Sequence, residues 1–297
     1  MGVVVNEHRV AQLLDEAQYH EEHQKWLHAV QIYQQLINEF PEQLDFRIKL
    51  GNVYLEMGNL PAAELILLQA LSNDSENPDI LYSLGIACYQ SEDFERALFY
   101  MRQLASYRLP KVHYSLGLIY WRRAEFLHAE RHLRLTMEFQ PDHVNAALAL
   151  AETCIRQNKF SDAATVLRDI NVLVPQDTAV QYLLGTTLIS TGEYEDAVLH
   201  LRRVLETEPA DENARLACAG ALIKADRFTE AEEELKTQLR HDERSARTLI
   251  AFGKLALVRA NRRKAEEYFR RALELEPENT DALEQMRYFT PNGKTTT

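Results

Sequence analysis

Cysteine is scarce: Cys88, Cys154 and Cys218 are the three among 297 residues, too few and too evenly spread for a disulfide scaffold or a zinc ribbon. A reducing compartment is the simpler expectation. No apolar run reaches the ~18 residues that a membrane span needs, and the start MGVVVNEHRV has neither a long apolar stretch nor a small-residue cleavage site. Asn6 stands where a myristoylation motif wants Ser or Thr. The expected location is therefore cytoplasmic, without direct membrane insertion. Basic residues are the minority, 33 against 45 acidic, for a net charge of −12, which excludes an overall basic footprint for nucleic acid. The deficit is uneven, with 4 basic and 12 acidic groups in residues 1–77 but 16 and 15 in residues 212–297.

Catalytic signatures are missing too. The sequence has no glycine-rich phosphate loop, nucleophile elbow or kinase signature. His20 with His23 (HEEH) and His128 with His132 (HAERH) could each put two imidazoles on one helix face, but a zinc site needs three or four ligands. HAERH also lacks the glutamate directly after the first histidine that a zinc-protease helix requires. These histidines read as solvated surface residues, and no enzyme activity, metal or cofactor is expected.

What the chain does have is a period. Hydrophobic residues make up 46% and charged residues 26%, which allows a buried core. Small residues recur at Ala17, Gly51, Gly85, Gly117, Ala151, Gly185, Ala219 and Gly253, in steps of 34 except for one of 32. An alanine follows each by 12 residues: Ala29, Ala63, Ala97, Ala129, Ala163, Ala197, Ala231 and Ala265. Four residues further on stands a large apolar side chain, Tyr33, Leu67, Met101, Leu133, Leu167, Leu201, Leu235 or Phe269, one helical turn along the same face. Pro41, Pro141, Pro175, Pro209 and Pro277 close five of the units in register, where a missing N–H and fixed φ stop a helix.

This pattern resembles the tetratricopeptide repeat, whose unit is a pair of antiparallel helices. The resemblance covers residues 10–277 and implies an all-α solenoid, a right-handed superhelix of eight helix pairs. Residues 1–9 are then an N-terminal extension, residues 278–289 a solvating C-terminal capping helix with Ala282, Leu283 and Met286 inward, and residues 290–297 a flexible tail. The small residues and alanines are expected where the two helices of a pair approach closest. Cys88, Cys154 and Cys218 fall on core places and read as small hydrophobes. The two residues missing from the third repeat, near LASYRLPKVHYS, predict a shortened turn or a local change of pitch.

In this family the first helix of each pair lines a concave face that holds partner peptides. The lining places, three residues before each small residue and four after it, carry Tyr82, Tyr89, Tyr114, Trp121, Ile155 and Tyr182, with Trp121 the most exposed candidate anchor. The polar lining places are ordered by sign, from Asp15, Glu21, Glu22, Asp45 and Glu56 near the N-terminus to Lys224, Arg247 and Lys254 near the C-terminus. Leu14 and Gln18 replace the Lys and Asn of the chaperone-tail clamp, leaving Asn52 as the one asparagine in place. The asparagine ladder of the O-linked N-acetylglucosamine transferase superhelix is replaced by Asp15, Lys49, Ser83, Ser115, Ala149, Leu183, Ala217 and Ala251. The expected function is a scaffold or adaptor that holds a protein or peptide partner, with self-association a further option. An accessory subunit of an enzyme or a secretion or envelope-assembly machine, and a small-molecule-responsive sensor, stay open as alternatives.

Overall fold

The computed structural model describes the backbone of residues 2–289 and the side chains of residues 8–289. The chain divides into two compact units, the first ending at Ala146 and the second beginning at Ala147. In the first unit, α1 (Gly2–Glu22), α2 (Trp26–Glu39), α3 (Leu44–Glu56), α4 (Leu60–Leu71), α5 (Pro78–Gln90), α6 (Phe94–Gln103), α7 (Pro110–Arg122) and α8 (Phe126–Phe139) form four consecutive helical hairpins. The second unit holds α9 (Val144–Arg156, starting just ahead of the boundary), α10 (Phe160–Leu173), α11 (Thr178–Thr191), α12 (Tyr194–Thr207), α13 (Glu212–Lys224), α14 (Phe228–His241), α15 (Ala246–Val258), α16 (Arg262–Leu275) and α17 (Thr280–Met286). Among the described residues no strand occurs. Helix α1 starts at Gly2, so the stretch expected as an extension continues the first helix of the array.

Each hairpin turns in the same way. The eight residues Gln24, Gly58, Glu92, Ala124, Asn158, Gly192, Asp226 and Ala260, each five before the repeat alanine, have φ between 56° and 87°. The next amide closes back on the carbonyl five residues earlier, as in Asn59 N–H to Tyr54 O at 2.8 Å, Glu125 N–H to Tyr120 O at 2.9 Å and Asn261 N–H to Ala256 O at 2.8 Å. This is the Schellman closure, which satisfies carbonyls at the helix end. Only two of the eight turn residues are glycine, so the other turns hold an L side chain in a left-handed conformation that disfavours it.

The helical glycines answer to side chains more than to backbone. A methyl group on Gly51, Gly117 or Gly185 would lie 2.7 Å from Leu67, Leu133 or Leu201, and one on Gly253 would lie 2.5 Å from the Phe269 ring. Each glycine thus faces the large residue that follows the alanine of its own hairpin by four, and that residue fills the space a side chain would need. The alanines Ala29, Ala63, Ala97, Ala129, Ala163, Ala197, Ala231 and Ala265 are all fully buried.

The short third repeat is explained by α6, which ends at Gln103 after 10 residues where α8, α10, α12, α14 and α16 have 14. A 3-10 turn at Ala105–Tyr107 and a left-handed Arg108 then lead into Pro110 at the start of α7. The helix is shortened, and the connection is a compact turn. At the C-terminal end Ala282 is buried against Phe269 and Ala272, with Met286 and Phe289 packed beside them. Leu283 is not inward as expected: it is 43% exposed, because the short α17 turns its 282 and 286 positions toward the core it shares with α16. Residues 290–297 lie outside the described part of the chain. All three cysteines are buried as core residues, and burial pushes the Cys88 thiol up to about 11 and the Cys218 thiol to about 12.

Candidate functional site

In the first unit, the first helices α3, α5 and α7 lie side by side. Tyr82, Tyr89 and Trp121 are half-buried, packing one flank on a core that includes Leu84, Met101 and Leu116. Tyr114 joins them with its ring 4.7 Å from that of His143, and its phenol is pushed up by burial and then by the charges of Tyr89 and Tyr82. The aromatic places of the first unit are therefore neither core nor free surface.

A cavity of about 660 Å³ opens in front of α3, α5 and α7. Its floor is Ile48, Leu55, Ile86 and Tyr82, and its polar edge includes Asp45, Lys49, Asn52, Glu56, Asp79 and Lys111. Lys111 Nζ is 3.6 Å from Asp79 Oδ1 and 4.6 Å from the centre of the Tyr82 ring. Ser83 Oγ donates to Asn52 Oδ1 at 2.7 Å, and the Tyr82 and Ser115 hydroxyls meet at 3.4 Å. Glu21, expected among the acidic lining residues, instead accepts a 2.5 Å hydrogen bond from the Tyr33 hydroxyl and belongs to the packing of α1 on α2.

The second unit has a smaller cavity of about 390 Å³ between α13, α15 and α17, lined by Leu216, Ile223 and Ile250 with Arg247 and Lys254 at its edge. Both cations have acidic neighbours: Arg247 donates to Glu212 at 3.2 Å, and Lys254 lies 3.8 Å from Asp281. Lys224 is exposed and does not line this cavity, while Ile155 and Tyr182 are half-buried on α9 and α11. The structure thus brings four of the expected aromatics together in one unit and two of the expected cations together in the other.

The histidines divide differently from expectation. His128 is exposed, but His132 turns inward, its Nδ1 3.1 Å from Nδ1 of buried His113 and its ring stacked 5.5 Å from Tyr120. Burial, followed by the charges of His113, Arg131, His128 and Arg102, holds His132 down to about 4. His20 is likewise partly buried, stacked 4.9 Å from His28. Among the described residues no group of three or more His, Cys, Asp or Glu could hold a metal ion. Sequence reasoning missed Lys111, Asp79, Glu212 and Asp281, whose places lie off the two lining positions of the repeat, at the first or second residue of their helices.

Family models of the tetratricopeptide repeat match residues 14–78, 48–111, 188–251 and 246–279, and the model of the anaphase-promoting complex, cyclosome, subunit 3 matches residues 119–204. With eight hairpins in one register, the chain belongs to the tetratricopeptide repeat proteins. Solved structures of similar fold include MamA from Desulfovibrio magneticus RS-1, 19% identical over 58% of this chain and 97% of that one with a TM-score of 0.53. PilW, a type IV pilus biogenesis factor, is 18% identical over 70% and 98% with a TM-score of 0.57. A chain of the APC/C hetero-tetramer Cut9-Hcn1 is 14% identical over 93% of this chain and 55% of that one with a TM-score of 0.54. Comparison with curated proteins finds no match. The fold supports a protein-interaction scaffold, and no described helix is long and apolar enough to cross a membrane.

Proposed function

We propose that the protein is a non-catalytic scaffold or adaptor whose first helices hold a segment of a partner protein. The observation that carries this reading is the set of half-buried aromatics Tyr82, Tyr89, Tyr114 and Trp121 on α5 and α7, of which Tyr82 lines the 660 Å³ cavity of the first unit. Half-covered aromatic rings are held in place by their packed flank and so lose little rotamer entropy on binding, while the open flank supplies contact area. Affinity purification with the full chain, read by mass spectrometry, identifies the partner. Tyr114→Ala with Trp121→Ala is expected to weaken capture by about thirtyfold, the equivalent of a ~2 kcal/mol anchor loss, with circular dichroism unchanged. A folded double variant that binds as wild type would place the partner on another face. A second reading, a dedicated subunit of a larger assembly, is favoured by the subunit 3 match at residues 119–204; one stoichiometric partner in the purification would support it, and diverse clients sharing a short motif would count against it.

A further inference from the structure

Resting on the groove reading above, we infer that the cavity of α3, α5 and α7 selects a partner segment that carries a lysine or arginine next to an aliphatic residue. The charges around the cavity are unevenly placed. At the end near the helix N-termini Asp79 is matched by Lys111, and Asp45 is followed one turn later by Lys49 on the same face of α3. At the other end stands Glu56, the last residue of α3, next to Gln90, the last residue of α5.

Glu56 is exposed, and among the described residues it makes no ion pair. Lys49 lies seven residues back, about 10 Å along the helix axis, too far to neutralise it. Helix C-termini carry partial negative charge, so the ends of α3 and α5 add to the potential of the carboxylate and both disfavour its being left alone. A partner's ammonium or guanidinium resolves this, whereas an anionic group would meet repulsion from Glu56 and from both helix ends.

The apolar floor fixes the rest of the segment's chemistry. Leu55 and Ile86 lie directly beside Glu56 and Gln90 in the register, so the methylene stem of a Lys or Arg side chain has apolar surface to cover while its head reaches the carboxylate. Ile48 extends the floor away from Glu56 and takes the neighbouring aliphatic residue. Asn52 is one turn before Glu56, and because its Oδ1 accepts from Ser83, its Nδ2 donors are presented to a backbone carbonyl of the segment.

The test is selection of a phage-displayed random 12-residue peptide library on the immobilised full chain, followed by fluorescence anisotropy of the selected peptides. Enriched peptides are expected to hold Lys or Arg beside an aliphatic residue. Glu56→Gln should weaken them about tenfold, as should replacing the peptide's cation by methionine, and the two changes together should cost no more than either alone. Glu274→Gln, an exposed carboxylate on α16 away from both cavities, should leave affinity unchanged. Peptides that lose binding with Tyr82→Ala but ignore Glu56→Gln, or that are rich in Asp and Glu, overturn the charge inference and leave the groove reading standing. Peptides indifferent to both Tyr82→Ala and Glu56→Gln, or a selection that enriches nothing, overturn the groove reading with it.

Discussion

Two helix-interior glycines of the second unit should respond with opposite signs to the same substitution. Alanine is favoured over glycine inside a helix by roughly 0.5–1 kcal/mol, because the glycine backbone loses more freedom on folding. A methyl on Gly220 in α13 meets nothing within 4 Å, so Gly220→Ala should keep that gain and stabilise by roughly the same 0.5–1 kcal/mol. On Gly253 in α15 the methyl meets Phe269 Cε1 at 2.5 Å and Cζ at 2.6 Å, and Phe269 is fully buried and has no solvent to retreat into. Overpacking of this kind costs roughly 1–3 kcal/mol, which offsets the propensity gain and leaves Gly253→Ala between neutral and ~2 kcal/mol destabilised. Propensity cancels between the two variants, so their difference isolates a contact cost of roughly 1–3 kcal/mol. The chain supplies its own control, since Ala219 stands opposite Leu235 with both fully buried. Gly253→Ala combined with Phe269→Leu rebuilds that pairing and should cost less than the two single changes added together. Urea unfolding by circular dichroism gives the stabilities, and native-state hydrogen exchange in α15 and α16 localises them, because repeat arrays open in parts. Equal shifts of the same sign at Gly220 and Gly253 would refute the contact argument.

Two further expectations concern the turns and the inward histidine. Ala260→Gly, at a residue with φ of 56°, should stabilise by about 0.5–1 kcal/mol by thermal or urea unfolding, and Asn158→Gly by less, since asparagine tolerates the left-handed region; no gain at Ala260 would mean that the turn relaxes in solution. His132 takes its proton near pH 6.5 when unfolded but only near 4 when folded, so its contribution is complete above 6.5 and is lost as the pH falls toward 4. The urea midpoint should therefore drop between about pH 7 and 5, more steeply for wild type than for His132→Gln; equal slopes would show that His132 is solvated.

The hairpins were legible in the sequence because their determinants are short-range and repeated. Gly253 and Phe269 are 16 residues apart within one hairpin, and the same steric rule recurs eight times, so the period exposes it even when glycine is replaced by alanine. The prolines just past five second helices and the buried cysteines follow from the same register. The left-handed turns were hidden, since Ala124 and Ala260 hold a conformation imposed by the closing Schellman bonds and not by their own preference. The candidate site was half legible. Tyr82, Tyr89, Tyr114 and Trp121 sit at fixed repeat places, but the ring of Tyr82 is capped by Lys111 from the next hairpin, and Asn52 is engaged by Ser83 in the same way. Such contacts depend on the rotamers of long side chains in neighbouring hairpins and occur once, leaving no periodic trace. For the same reason His132 could be placed on a helix from sequence but not turned inward, and Leu283 could be placed on the last helix but not turned out. The repeated backbone spacing was determined locally; which single side chain meets which, and hence where a cavity opens and which carboxylate is left unpaired, was decided only when the hairpins packed.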